Sequence, residues 1–158
     1  MNEFMKAASE LAAENLSANS GGPFGAVVVK GGKIIGRGRN HVLENNDPTA
    51  HGEVMAIRDA CSNTGSYDLS GCELYTSAYP CPMCMAATVW ANIKKVYYGN
   101  TRKDAEEIGF RDDDIYELMG KLSADAEDAD TIELRQLDHE ETIKVFRAFA
   151  QKTDKTIY

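Results

Sequence analysis

The pair Cys81-x-x-Cys84, in the stretch YPCPMC, places the tightest constraint on how this chain can fold. Two thiols at this spacing serve a redox dithiol, one half of a structural zinc site, or part of a catalytic one. The two metal readings require another segment of the chain to reach the same point. A redox dithiol expects the pair after the first strand of a thioredoxin-like order. Here a hairpin and a third strand precede it, which weakens that reading. A structural zinc site expects four protein ligands. The other cysteines, Cys61 and Cys72, stand singly, and each reads as a small buried hydrophobe.

There remains a three-ligand site with an open fourth position, the arrangement of catalytic zinc. Three histidines compete for the third place. His41 sits just past a strand and His139 in the first turn of the last helix, and both read as surface or satisfied side chains. His51 lies in PTAHGE, at a helix start, with Glu53 two residues on. Cys81 and Cys84 fall at another helix start, where their thiolates can converge at the positive end of the helix dipole. Zinc held there would lower the pKa of a water towards about 7, and Glu53 would shuttle its proton. Residues i and i+2 of an ideal helix point to nearly opposite faces, so His51 and Glu53 can share a site only from the open first turn.

The rest of the sequence alternates between strand and helix patterns. Phe4, Ala8, Leu11 and Ala12 share one face of a helix over about 2–18. FGAVVVK and KIIGRGRN read as strands joined at Gly31-Gly32, a hairpin turn signal. In NNDPTAHGEVMAIRDAC, Asp47 reads as a cap and Pro48 as the first helical residue. CELYTS, KKVYYG and TIELRQL read as a third, fourth and fifth strand, and Pro82 opens a helix between the third and fourth. Asp138 and Glu141 suggest a D-x-x-E cap before a last helix with Ile143, Phe146, Phe149 and Ala150 on its apolar face. This order predicts an α/β sandwich around a mixed sheet.

At 158 residues the chain is expected to form one domain, over 1–158. Its 43% hydrophobic and 27% charged content is ordinary for a globular protein, and no run is long enough to span a membrane. The N-terminus mixes acids into its apolar pattern and does not read as a signal peptide, so a cytoplasmic, reducing setting is expected. Residues 101–130 carry 11 acids and 4 bases, nearly all of the formal net charge of −8, and read mainly as a solvated acidic face. No basic footprint is visible, which makes nucleic acid a poor default partner.

His51-x-Glu53, followed thirty residues later by Pro80-Cys81-x-x-Cys84, matches the zinc deaminase signature. With GGPFGAVVVK, NDPTAHGE, LYTS, PCPMC and the later GF and DD, the chain resembles the cytidine deaminase superfamily over nearly its whole length. Within it, the chain looks most like the small bacterial guanine deaminases. The resemblance implies a three-layer α/β/α fold on a five-stranded mixed sheet, one Zn²⁺ on His51, Cys81 and Cys84, and Glu53 as proton shuttle. It also implies that Asn40 bonds the purine, that Phe24 and Trp90 flank the ring, and that Asp112 reads the amino and N1 edge of guanine. It further implies a homodimer in which the C-terminal segment, about 138–158, crosses to the partner, with Tyr158 as a lid. Two positions depart from the pattern: Tyr79, where glutamate is common, and Gly52, where alanine is usual. The activity implied is hydrolytic deamination of a free base, guanine first. A tRNA adenosine deaminase, a cytosine or other small-heterocycle deaminase, and a silent zinc module are the rivals.

Overall fold

The computed structural model describes residues 2–123, 132 and 134–157. Met1–Glu117 and Leu118–Tyr158 form two compact units. The first contains α1 (Glu3–Ala18), β1 (Gly25–Lys30), β2 (Lys33–Arg39), the one-turn α2 (Val42–Asn45), α3 (Gly52–Thr64), β3 (Glu73–Ala78), α4 (Pro82–Trp90), β4 (Lys95–Asn100), α5 (Arg102–Glu107) and the start of α6 (Asp112–Ser123). The second contains the end of α6 and α7 (His139–Gln151). Among the described residues no helix is long and apolar enough to cross a membrane.

The strands lie in the order β2-β1-β3-β4. β1 runs antiparallel to both neighbours, while β3 and β4 run parallel with α4 as their crossover. The central β1 is AVVV at its heart, an unbroken apolar run, because both of its faces are covered. Val27, Val29 and Tyr75 pack beneath Phe4, Met5 and Leu11 of α1. Ala26, Val28 and Leu74 face the other way, onto Ala56 and Ala60 of α3 and onto Ala91 and Ile93. The first unit is therefore the expected three-layer α/β/α sandwich.

β2 looks like a poor strand, since KIIGRGR holds two glycines. The packing explains them. A Cβ on Gly36 would lie 2.4 Å from the carbonyl oxygen of Ala56, and one on Gly38 would lie 2.3 Å from the Ala56 nitrogen and the Gly52 oxygen. The missing side chains let α3 rest directly on the strand backbone, and this contact sets where α3 begins.

Several expectations need correction. The sheet has four strands among the described residues, not five. Residues 134–137 belong to no strand, and 131 and 133 lie outside the described residues. Ile132, Leu134 and Leu137 are exposed. Their pattern suits a pleat, but a strand also needs a sheet edge to accept its ladder. Asp47 and Pro48 do not open α3. Asp47 instead forms an Asx turn, its Oδ1 accepting from the Thr49 N–H at 2.8 Å and from the Thr49 hydroxyl at 2.7 Å, and the helix starts at Gly52. Asp138 does precede α7, but with φ +52 it makes no side-chain cap bond, and Glu141 holds Lys144 at 2.7 Å instead. The described part of the acidic stretch contains two helices, the first opened by a capping box between Thr101 and Asp104.

Adding one methyl group at Gly38 should therefore be costly. Gly38→Ala is expected to lose about 3 kcal/mol or more in urea unfolding, at the upper end of overpacking, because the clash is with backbone. Gly31→Asn should stay within about 0.5 kcal/mol, since φ there is +55 and the space beyond is open. Equal losses at the two positions would show that the α3–β2 contact is not the constraint.

Candidate active site

Both ligand-bearing segments enter their helices in the same way. His51 is the N-cap of α3 with φ −72 and ψ 156, and Cys81 is the N-cap of α4 with φ −65 and ψ 167. Neither side chain bonds the N–H groups of its own helix. The imidazole and the thiol face each other instead, with Nδ1 3.6 Å from Sγ. One ligand atom each from His51, Cys81 and Cys84 lies within 4.8 Å of the others. Ideal zinc bonds to sulfur and nitrogen in a tetrahedron put neighbouring ligand atoms about 3.5–3.8 Å apart. The 3.6 Å separation falls in that range, and the His-Cys-Cys donor set fits zinc.

The extended N-cap also removes the objection of opposite faces. His51 stands outside the helical turn, so Glu53, the second helical residue, can bend over the same helix end. Glu53 is buried, and the Thr76 hydroxyl donates to its Oε1 at 3.0 Å. Burial pushes its carboxyl above the ordinary range, against the pull of the Thr76 bond. The thiols form a coupled pair. The bond from Cys84, with His51 beside it, holds the Cys81 thiol down at about 4, while the same partnership and burial push the Cys84 thiol up. Without metal the two sulfurs share one proton, the state that a divalent cation displaces.

Asp112 is the first residue of α6. Burial raises its carboxyl, the negative charge of Cys81 raises it further, and His51 opposes them, so Asp112 stands within electrostatic reach of the triad. Phe24, just before β1, meets Phe110 edge-on with ring centroids 4.7 Å apart. Asn40 is buried, with its backbone N–H on the Phe24 carbonyl at 2.9 Å and its Oδ1 accepting from Val42 at 3.1 Å. That leaves the Asn40 amide group as the donor end. Trp90 stands apart from the others. It is the last residue of α4, 64% exposed, and about 12 Å along the helix axis from the end that carries Cys81. The structure does not bring it to the triad of its own chain. Tyr158 lies outside the described residues.

With this geometry, the comparisons with known proteins are decisive. Residues 1–100 match the cytidine and deoxycytidylate deaminase zinc-binding region. The chain belongs to that family. It is 46% identical to the guanine deaminase of Bacillus subtilis over 155 residues, covering 98% of this chain and 97% of the relative. The X-ray structure of that guanine deaminase superposes with a TM-score of 0.90 and covers 100% of this chain and 99% of its own. The tRNA-specific adenosine deaminase of Aquifex aeolicus is 47% identical over 76 residues, only 48% of this chain and 50% of the relative. A solved guanine deaminase from Nitrosomonas europaea is 34% identical at a TM-score of 0.65, over 69% of this chain and 63% of its own.

The deaminase also has site residues that the motif search does not single out. Thr76 orients Glu53. Asn15, buried in α1, donates to the carbonyls of Gly22 and Asn40, both at 2.8 Å, and accepts from Arg39 Nη1 at 2.6 Å. A signal existed for each, namely a polar residue on the apolar stripe of a helix and another within a buried strand. The departure at Gly52 has a physical reason, since a Cβ there would lie 3.1 Å from the Phe24 carbonyl and 3.2 Å from Gly25 Cα. Glycine lets the first turn of α3 approach the start of β1.

Purified protein is expected to hold about one zinc per chain, and Cys84→Ser should lower this sharply, as read by elemental analysis. A second expectation concerns the metal-free protein. Burial raises Glu53 above its ordinary 4.5, so the native state keeps a proton that the unfolded chain releases as pH rises past that value. Metal-free stability then falls as pH rises through this window. Glu53→Gln cannot ionise. In chelator it should resist urea better than the wild type at pH 7, with the gap closing as pH drops below 4.5. A variant no more stable than the wild type at pH 7 would show that the buried carboxylate carries no such penalty.

Proposed function

We propose that this zinc-dependent deaminase hydrolyses free guanine to xanthine and ammonia. One observation carries the reading: the match to a guanine deaminase runs through 98% of the chain, whereas the tRNA deaminase match covers 48%. A solved relative at 35% identity holds 2,6-diaminopurine, which supports a purine base as ligand. The net charge of −8 offers no basic track for a phosphate backbone. The setting that fits is the cytoplasm, where Cys61 and Cys72 stay reduced.

Zinc, when bound, supplies the Lewis acidity that makes water a nucleophile at neutral pH. The chain's own groups do the rest. Glu53 takes the proton released by the attacking water and passes it to the ring nitrogen next to the amino-bearing carbon; it then takes the second proton from the newly added hydroxyl and delivers it to the amino group, which leaves as ammonia as the C–N bond breaks and the C=O forms. Thr76 fixes Oε1, which leaves the traffic to Oε2. The Asn40 amide donates to a purine acceptor, Asp112 accepts from the amino and N1 edge of guanine, and Phe24 packs on the ring. As a further part of the proposal, the enzyme is a homodimer in which the segment of about 138–158 closes the partner's pocket with Tyr158. The exposed Phe146 and Phe149 on α7 are consistent with a helix that finds its cover outside its own chain.

Ammonia release from guanine, guanosine, adenine, cytosine and a tRNA anticodon stem-loop tests the reading. Guanine should lead, with little response to moderate salt because a neutral base releases no counterions. Glu53→Gln should keep its zinc while turnover falls roughly 10²–10⁴-fold. Efficient stem-loop editing with no guanine turnover would replace this proposal by the tRNA one.

A further inference from the structure

The link between β3 and α4 is only three residues, Tyr79, Pro80 and Cys81, and the last of them is a metal ligand. Its backbone is held from two sides. The Tyr79 N–H donates to the Asn100 carbonyl at 2.8 Å, which ties the link to the end of β4. The Tyr116 hydroxyl donates to the Pro80 carbonyl at 2.7 Å, which ties it to α6. Pro80 is fully buried, so this carbonyl has no water to turn to. A cation organises the rings around it. The Arg102 guanidinium lies 5.0 Å from the Tyr116 ring centroid and 5.6 Å from that of Tyr79. Arg102 is also ion-paired with Asp113 at 3.2 Å. The Tyr79 ring in turn meets Tyr98 edge-on at 4.9 Å and Tyr116 at 6.1 Å. Tyrosine at position 79, which departs from the family pattern, is thus one side of a guanidinium–aromatic stack.

Position 116 is four residues beyond Asp112, so the two lie on one face of α6, one turn apart. Asp112 lies within electrostatic reach of Cys81 and His51, and Tyr116 grips the residue next to Cys81. We infer that Tyr116, steadied by Arg102, is a positioning residue that fixes the segment of Cys81 and the helix start of Asp112 at one separation. The clamp touches neither base nor metal. It acts by joining the segment that carries a metal ligand to the helix that carries the base-facing carboxylate. This inference rests on the proposed role of Asp112 for its effect on substrate, but not for its effect on the metal.

Tyr116→Phe removes one oxygen and leaves the ring under Arg102. Val29→Ala, a core truncation beneath α1, serves as the control for general loss of stability. Three quantities are read on the zinc-loaded proteins: zinc release to a chromogenic chelator, guanine kcat and KM, and the urea midpoint. Tyr116→Phe should release zinc about 10-fold faster, as loss of a group that supports a metal ligand does. Its KM for guanine should rise roughly 5- to 10-fold, the scale of one hydrogen bond, with kcat changed less than about 3-fold. Zinc release and KM no different from those of Val29→Ala would overturn the inference. Faster zinc release with unchanged KM would overturn the Asp112 half of it. If wild-type protein does not turn over guanine, the substrate proposal fails, and the zinc-release rate alone still decides whether Tyr116 holds the metal segment.

Discussion

The contact on which the site depends is the seating of α3 on the bare backbone of β2. At Gly36 and Gly38 no side chain keeps the helix at the usual distance, so its backbone comes within reach of the strand's own. This fixes the start of the helix against the end of β1 and puts His51 and Glu53 at the rim of the sheet. The parallel pair β3 and β4 does the same for the other segment. The strand ends at Ala78, a three-residue link turns the chain, and α4 begins with Cys81 at its mouth. Two helix N-termini therefore face one point, and each supplies an N-cap residue that leaves its own helix uncapped in order to bind metal.

Chemically the centre gathers acidic groups that a cation suits. Burial disfavours charge on Glu53 and Cys84, while the bond from Cys84 and the nearby His51 favour the thiolate of Cys81. A divalent cation favours the charged form of all three. The protein gives up some stability to hold these groups where the reaction needs them, as functional sites commonly do. The Thr76 hydroxyl holds the orientation of Glu53 without adding further charge.

The chemistry of the centre was more legible in the sequence than its scaffolding. His51, Cys81 and Cys84 were legible once their two motifs were read together, because metal ligation demands particular atoms, and the structure brings these three side chains to one point. Element types near them were equally plain, from the AVVV run of β1 to Pro82 at the head of α4. Asp47-Pro48 misled because Asx turns and helix caps use the same residues, and only the following backbone separates them. In the TIELRQL segment residues 132 and 134–137 belong to no strand, because alternation states what a strand would bury, not which strand it pairs with. Trp90 came from resemblance, and helix length places it a full element away from the triad. Asn15 and Thr76 went unread because a polar residue in an apolar pattern declares that it has a partner without saying which one.

All three metal ligands, and the sheet that brings them together, lie within the first compact unit, which ends at Glu117. Each of these ligands is thus supplied by the unit that the metal braces. Binding free energy at such a site is also folding free energy, so zinc stabilises the unit that gathers its ligands. The ion is a cross-brace between two helix ends as well as a reagent.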